Sequence, residues 1–199
     1  MGMLLVLNTV GEDNLRKMLE TPALVWQVVL PDDPSMLEVE QPQPGFFAKL
    51  LGAKAVPPIS LERLEFAEEE FRETDIDKAW HGIHFLLTGT AWEGEPPYNF
   101  LIEGGEAVGD EDVGYGPARA FNASQTRTIA DALDVLTRNE LATRFNAERM
   151  RSLEIYPDIW DRDPKDDDTL GYCLDFYDEL KAFVRRAADD GLCLLVYIC

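Results

Sequence analysis

Both ends of this chain are apolar in a way that the interior of a sheet accommodates best. Met3-Leu4-Leu5-Val6-Leu7 lies near one end, and Leu192-Cys193-Leu194-Leu195-Val196-Tyr197-Ile198 near the other. Short, unbroken, aliphatic runs of this kind suit strands buried on both faces. Two such strands belong in the middle of a sheet; the pattern leaves open whether they are neighbours. Between them the hydrophobic period returns repeatedly to that of a helix, so helices must cover the sheet. The expected class is α+β: a small, mostly antiparallel sheet that includes both terminal strands, with helices packed against it. At 199 residues and 46% hydrophobic, the chain is long enough for one domain spanning 1–199 with a real core.

The best-formed helical pattern is Asp75-Ile76-Asp77-Lys78-Ala79-Trp80-His81-Gly82-Ile83-His84-Phe85-Leu86-Leu87-Thr88-Gly89, which holds both histidines of the chain. At about 100° per residue, Ile76, Ala79, Trp80, Ile83, Leu86 and Leu87 share one wide face. Asp75 or Asp77 is the expected N-cap, and Gly89 the C′ residue. Asp77, His81, His84 and Thr88 fall on the other side. A carboxylate and two imidazoles so spaced offer metal ligands or an acid/base pair. No HExxH motif and no second ligand cluster accompanies them, so the expectation is no metal: two histidines hydrogen-bonded at the margin of a buried face.

Elsewhere the motifs read as scaffold. Thr9 and Glu12 have capping-box spacing, ahead of a helix with Leu15, Met18 and Leu19 on one face. Pro22 behind Thr21 starts a second short helix. Six prolines punctuate residues 31–58, a long loop in which Phe46-Phe47-Ala48-Lys49-Leu50-Leu51 is the one helical turn; the two phenylalanines anchor it on the body, the commoner case, or form part of a binding rim. Ser60–Glu73 is expected as a helix and Tyr98–Ile102 as a strand. Gly114 and Gly116 permit unusual backbone angles or close approach rather than forming a phosphate loop. Arg119 beside them pairs with a buried carboxylate or binds an anion, the first being the safer reading. Asn122 caps a helix bearing Ile129, Leu133 and Leu136, and a short helix follows at 139–145. Ile155–Trp160 is an aromatic loop pinned to the body. The acidic segment 161–168 fails the EF-hand pattern, because Asp166 stands where Gly is needed and Tyr172 where Glu is. It fits better as the acidic start of a helix over 169–190, with Cys173, Tyr177, Leu180, Val184 and Ala187 in one stripe.

The formal net charge is −20, and it divides evenly: 17 Asp+Glu against 7 Lys+Arg in residues 1–100, and 21 against 11 in 101–199. Such a surface repels nucleic acid and anionic lipid and attracts basic partners. It also promotes solubility by itself. Three cysteines without a CxxC pair point to reduced thiols and a cytoplasmic setting. The apolar runs are far below a membrane span of about 20 residues.

Several stretches resemble the YfbM-like family of small bacterial proteins, a domain of unknown function. They are Met1-Gly2-Met3, Ile76–Gly89, Gly114-Tyr115-Gly116-Pro117-Ala118-Arg119, Ile155-Tyr156-Pro157, and the last helix and strand. The likeness runs over essentially the whole chain and is weakest at 31–58. It implies an α+β domain in a bacterial cytoplasm and no particular activity or cofactor.

Two functional classes follow, with a cation-binding protein behind them. In the first, the chain is a non-enzymatic acidic binding protein for a basic protein partner, in one form an inhibitor- or immunity-type protein. In the second, it binds a small ligand or is an enzyme. Its cleft would then lie where the Trp80–His84 helix, the Tyr115–Arg119 turn and the loop from Tyr156 to Trp160 meet. Lys78, Trp80, His81, His84, Tyr115, Arg119 and Tyr156 are the candidate lining, with a histidine as acid/base and Lys78 or Arg119 as anion holder.

Overall fold

The computed structural model describes residues 2–39, 42–47, 52 and 54–199. From edge to edge its main sheet runs Arg72–Asp75 (β4), Leu5–Val10 (β1), Cys193–Ile198 (β7), Arg119–Phe121 (β6) and Glu106–Ala107 (β5), every pair antiparallel. A separate ribbon pairs Glu38–Val39 (β2) with Ile59–Ser60 (β3). The two apolar terminal strands are therefore neighbours at the centre, with Leu5 opposite Ile198 and Val10 opposite Cys193.

Alternation along these strands feeds two cores. Leu5, Leu7, Leu194 and Val196 face the larger one. Three helices cover them there: Trp80–Thr88 (α3), Ala123–Asp134 (α4) and Thr169–Asp189 (α7). The predicted stripe on α7 is buried throughout, as are Ile129 and Leu133 on α4. Val6, Val10, Cys193, Leu195 and Tyr197 face the smaller core. Its cover is Glu12–Glu20 (α1), the tight turn Pro22–Val25, Trp26–Val29 (α2) and an extended strap over 61–71. A strand buried on both sides has no position for polar residues except where a partner is supplied. Asn8 meets that condition in part: its Nδ2 donates to Glu73 on β4 at 3.1 Å, while its Oδ1 is buried without a partner among the described residues.

Ser60–Glu73 is not a helix. Its sequence has good helix formers, but tertiary contacts override the propensity. Gln27 accepts the Leu64 N–H and donates to the Glu62 carbonyl, and Asn14 donates to the Glu65 carbonyl, so side chains of α1 and α2 satisfy an extended backbone. This leaves Leu64 buried and the glutamates outside. Thr9 does not cap α1 either. It lies within β1, donating to the Glu70 carbonyl, while Gly11 holds the N-cap position and gives its N–H to the Glu70 carboxylate.

Tyr98–Ile102 is a series of turns rather than a strand, for a reason given below. Neither aspartate is the N-cap of α3, whose cap is Ala79; Asp75 instead accepts the Asp77 N–H in the turn before it. Gly89 does end α3, at φ +76° with its N–H on the Phe85 carbonyl. Phe46 and Phe47 are exposed at 76% and 78%, so they anchor nothing within the described chain, and Ala48–Leu51 of the expected helical turn lies outside the described residues.

α3 is buried on all sides from Trp80 to Leu87. Gly82 makes that possible, because a Cβ there would stand 2.4 Å from the Trp160 ring. That ring is only 2% exposed and is held by its N–H on the Ile155 carbonyl at 2.8 Å. Gly82→Ala should therefore cost about 2–3 kcal/mol through overpacking, read as a lower urea midpoint at unchanged slope. An unchanged midpoint would mean that the ring tilts away freely.

Candidate functional site

Burial of α3 decides what its histidines can do. His81 packs flat on Trp80, with ring centroids 4.8 Å apart and an interplanar angle of 8°. Its Nδ1 accepts the Tyr156 N–H at 2.9 Å, and its Nε2 lies 2.7 Å from the Ala91 carbonyl. An amide must donate and a carbonyl must accept, so the ring is the neutral Nε2–H tautomer with both nitrogens used. Burial lowers its pKa, against the opposing effect of the Ala91 bond. His84 donates Nε2–H to the Glu93 carbonyl at 3.2 Å, while Nδ1 is buried without a partner among the described residues. Burial foremost, and the neighbouring His81 and Arg119 in smaller measure, bring its pKa to about 4.

The other candidates fall into separate places. Lys78 and Tyr156 flank the N-terminal segment: a Cβ on Gly2 would stand 2.4 Å from Lys78 Cε and 2.7 Å from the Tyr156 hydroxyl. That hydroxyl accepts the Met3 N–H, and the Trp80 indole donates to the Met3 carbonyl. Lys78, Trp80 and Tyr156 thus gather around residues 2–3, and His81 lies against Trp80 with Trp92 covering its ring at 4.4 Å. Tyr115 is not among them. It is 62% exposed, on a turn whose Gly114, at φ +151°, touches Cys199. Asp77 accepts the Tyr172 hydroxyl at 2.8 Å. Among the described residues no group of three His, Cys, Asp or Glu is placed to hold a metal ion.

Arg119 does not pair with a carboxylate. Its Nη1 donates to the carbonyls of Phe100 (2.9 Å), Glu103 (2.7 Å) and Gly104 (3.3 Å), and its Nη2 to Leu101 (2.6 Å). This is why 98–104 forms no strand: one guanidinium takes the carbonyls that a ladder would have used. Burial brings the Arg119 pKa down to about 10, opposed by Glu103 nearby.

None of these seven side chains lines any of five surface clefts of 430–710 Å³. Four of those clefts adjoin one another through shared lining residues, making an acidic trough of separate hollows around the 61–71 strap. Ten carboxylates line it (Asp32, Asp33 and Glu73 among them) against four cations, Lys17, Arg63, Arg72 and Arg186. Phe66 and Phe71, 5.0 Å apart, give it an apolar floor. The sequence carried a signal for this trough, the Glu68-Glu69-Glu70 run, but a helical reading of the strap turned it into a plain solvated face.

The model of a family described as a domain of unknown function (DUF1877) matches residues 1–197. Over 91 residues the chain is 35% identical to Protein YfbM of Escherichia coli (strain K12). That stretch covers 44% of this chain and 53% of the relative, so the match spans about half of the relative's length. The crystal structure of a protein of unknown function, YfbM from Escherichia coli, is similar over 98% of this chain and 99% of that one, with a TM-score of 0.61 and 21% identity. At that identity the likeness speaks for the fold alone. No helix among the described residues is long and apolar enough to cross a membrane.

Proposed function

The chain belongs to the DUF1877 family, and from that premise we propose that it is a non-enzymatic binding protein that engages a basic protein partner through its acidic trough. The observation that carries this reading is the ten-to-four excess of carboxylates over cations around these adjoining clefts. Like charges lining a cleft focus the field within it, which raises the encounter rate with an oppositely charged surface and rejects anionic competitors. Phe66, Phe71 and Leu37 supply apolar contact beneath the charge. Against the enzyme or small-ligand alternative stands the use of His81, both ring nitrogens, and of Arg119 in bonds to the backbone.

The test is fluorescence anisotropy with a short Lys/Arg-rich peptide and a neutral peptide of equal length, between about 0.05 and 0.5 M salt. Asp32, Glu65 and Glu68 line the trough and are exposed. Their amide variants in combination should bind the basic peptide about tenfold more weakly. The same charge removed elsewhere, at Glu148, Asp158 and Asp166, should change binding little. Binding indifferent to salt, or equal losses in the two triple variants, would reject the trough as the recognition surface.

A further inference from the structure

The remaining cleft lies on the opposite side of the sheet and has the opposite charge. It holds about 430 Å³ where the C-terminal end of α3 meets Arg138–Arg144 (α5) and Ala147–Ser152 (α6), and two arginines line it, Arg144 and Arg149. The chain has 38 acidic residues for 18 basic ones. Eight arginines pair with a carboxylate among the described residues: 16, 72, 127, 138, 151, 162, 185 and 186. Arg144 and Arg149, like Arg63 and Arg119, form no ion pair among the described residues, and both are exposed.

What holds them is the end of α3. Arg144 Nη1 donates to the Leu86 carbonyl at 3.1 Å and approaches that of Leu87, while Arg149 Nη2 donates to the Gly89 carbonyl at 2.9 Å. Arg149 also lies over the buried Phe85 ring, 5.8 Å from its centroid. Arginines on the last carbonyls of a helix cap it, and that role is served by one nitrogen of each. Among the described residues, Nε and the second Nη of each guanidinium have no hydrogen-bond partner. Two guanidinium groups, each fixed on one side and free on the other, make a cleft suited to oxyanions. Its size is within the range of small-molecule sites.

We propose that this cleft is a binding site for a small oxyanionic ligand, a phosphate- or carboxylate-bearing compound held between Arg144 and Arg149. The proposal is independent of the acidic trough.

The experiment is titration of the intact protein with inorganic phosphate, and separately with succinate, at constant ionic strength. Calorimetry would accompany NMR of the arginine Nε–H signals. Saturable binding with shifts concentrated on Arg144 and Arg149 is expected, and whichever probe saturates identifies the phosphate or the carboxylate class. R144Q/R149Q should weaken binding at least about tenfold, whereas R63Q, an exposed arginine in a different cleft without an ion pair, should not. If removing the helix caps unfolds the double variant, R149K serves instead, since it keeps the charge but loses the planar fork. Absence of saturable binding by both probes, shifts spread evenly over all arginines, or full affinity in the folded variant would overturn the site.

Discussion

Arg119→Met is expected to destabilise the protein by about 3–5 kcal/mol, with the damage concentrated in residues 98–104. Four backbone carbonyls in that segment depend on one guanidinium, at distances of 2.6 to 3.3 Å. A hydrogen bond from a charged donor contributes about 1.5–3 kcal/mol, and the four share a single cation, so the losses do not simply add. Methionine fills the aliphatic part of the space and supplies no donor. Arg119→Lys should recover less than half, because a single ammonium cannot reproduce a planar fork reaching carbonyls on two sides. Chemical denaturation measures the total, and amide hydrogen exchange locates it: protection should fall in 98–104 and remain in β1 and β7. A loss below about 1 kcal/mol would mean that these carbonyls turn to water at little cost.

The second large effect is acid sensitivity through His84. Its folded-state pKa of about 4 lies below the ordinary 6.5, chiefly because the ring is buried. Protonation would moreover create a second N–H with no acceptor, since Nδ1 has no partner. Between those two pH values the unfolded chain binds a proton that the folded chain refuses. Stability from this group is therefore full above about pH 6.5 and is lost as the pH falls through about 4, a total of about 3 kcal/mol. His81 is shifted in the same direction and adds to the trend. The 38 carboxylates titrate as well, so the informative quantity is the difference between the parent and His84→Gln. Glutamine can still donate toward the Glu93 carbonyl and does not titrate. As the pH drops from 7 to 4 the parent should lose about 3 kcal/mol of unfolding free energy relative to the variant; a difference independent of pH would remove His84 from the account.

Much of the fold is legible where one local rule acts without competition. The two terminal runs have only one economical place, the sheet interior, and they occupy it. Gly89 and Gly191 end helices in the left-handed region, and Asn122 with Gln125 forms the full capping box of α4. Residues 61–71 and 98–102 are different. Each has a sequence suited to a regular element, and each is diverted because a distant side chain satisfies its backbone: Asn14 and Gln27 in the first case, Arg119 in the second. Such long-range partners leave no periodic trace in the segment they capture.

The candidate residues divide on the same principle. That Trp80, His81 and His84 belong to one helix follows from their spacing, and so does their place against a core. Whether an imidazole nitrogen is free depends on loops far away in the chain, on Ala91, Glu93 and Tyr156, which no helical period can reveal. Net charge behaves likewise. The excess of carboxylates is a property of composition, but which carboxylates and cations line a common cleft is settled only when the chain folds. Hydrophobic pattern is local and additive along a sequence, whereas hydrogen-bond partners and surface fields are assigned in three dimensions. The sequence by itself therefore determined the class, the central strands and most helices, and the tertiary structure alone decided which polar groups remain free to meet a partner.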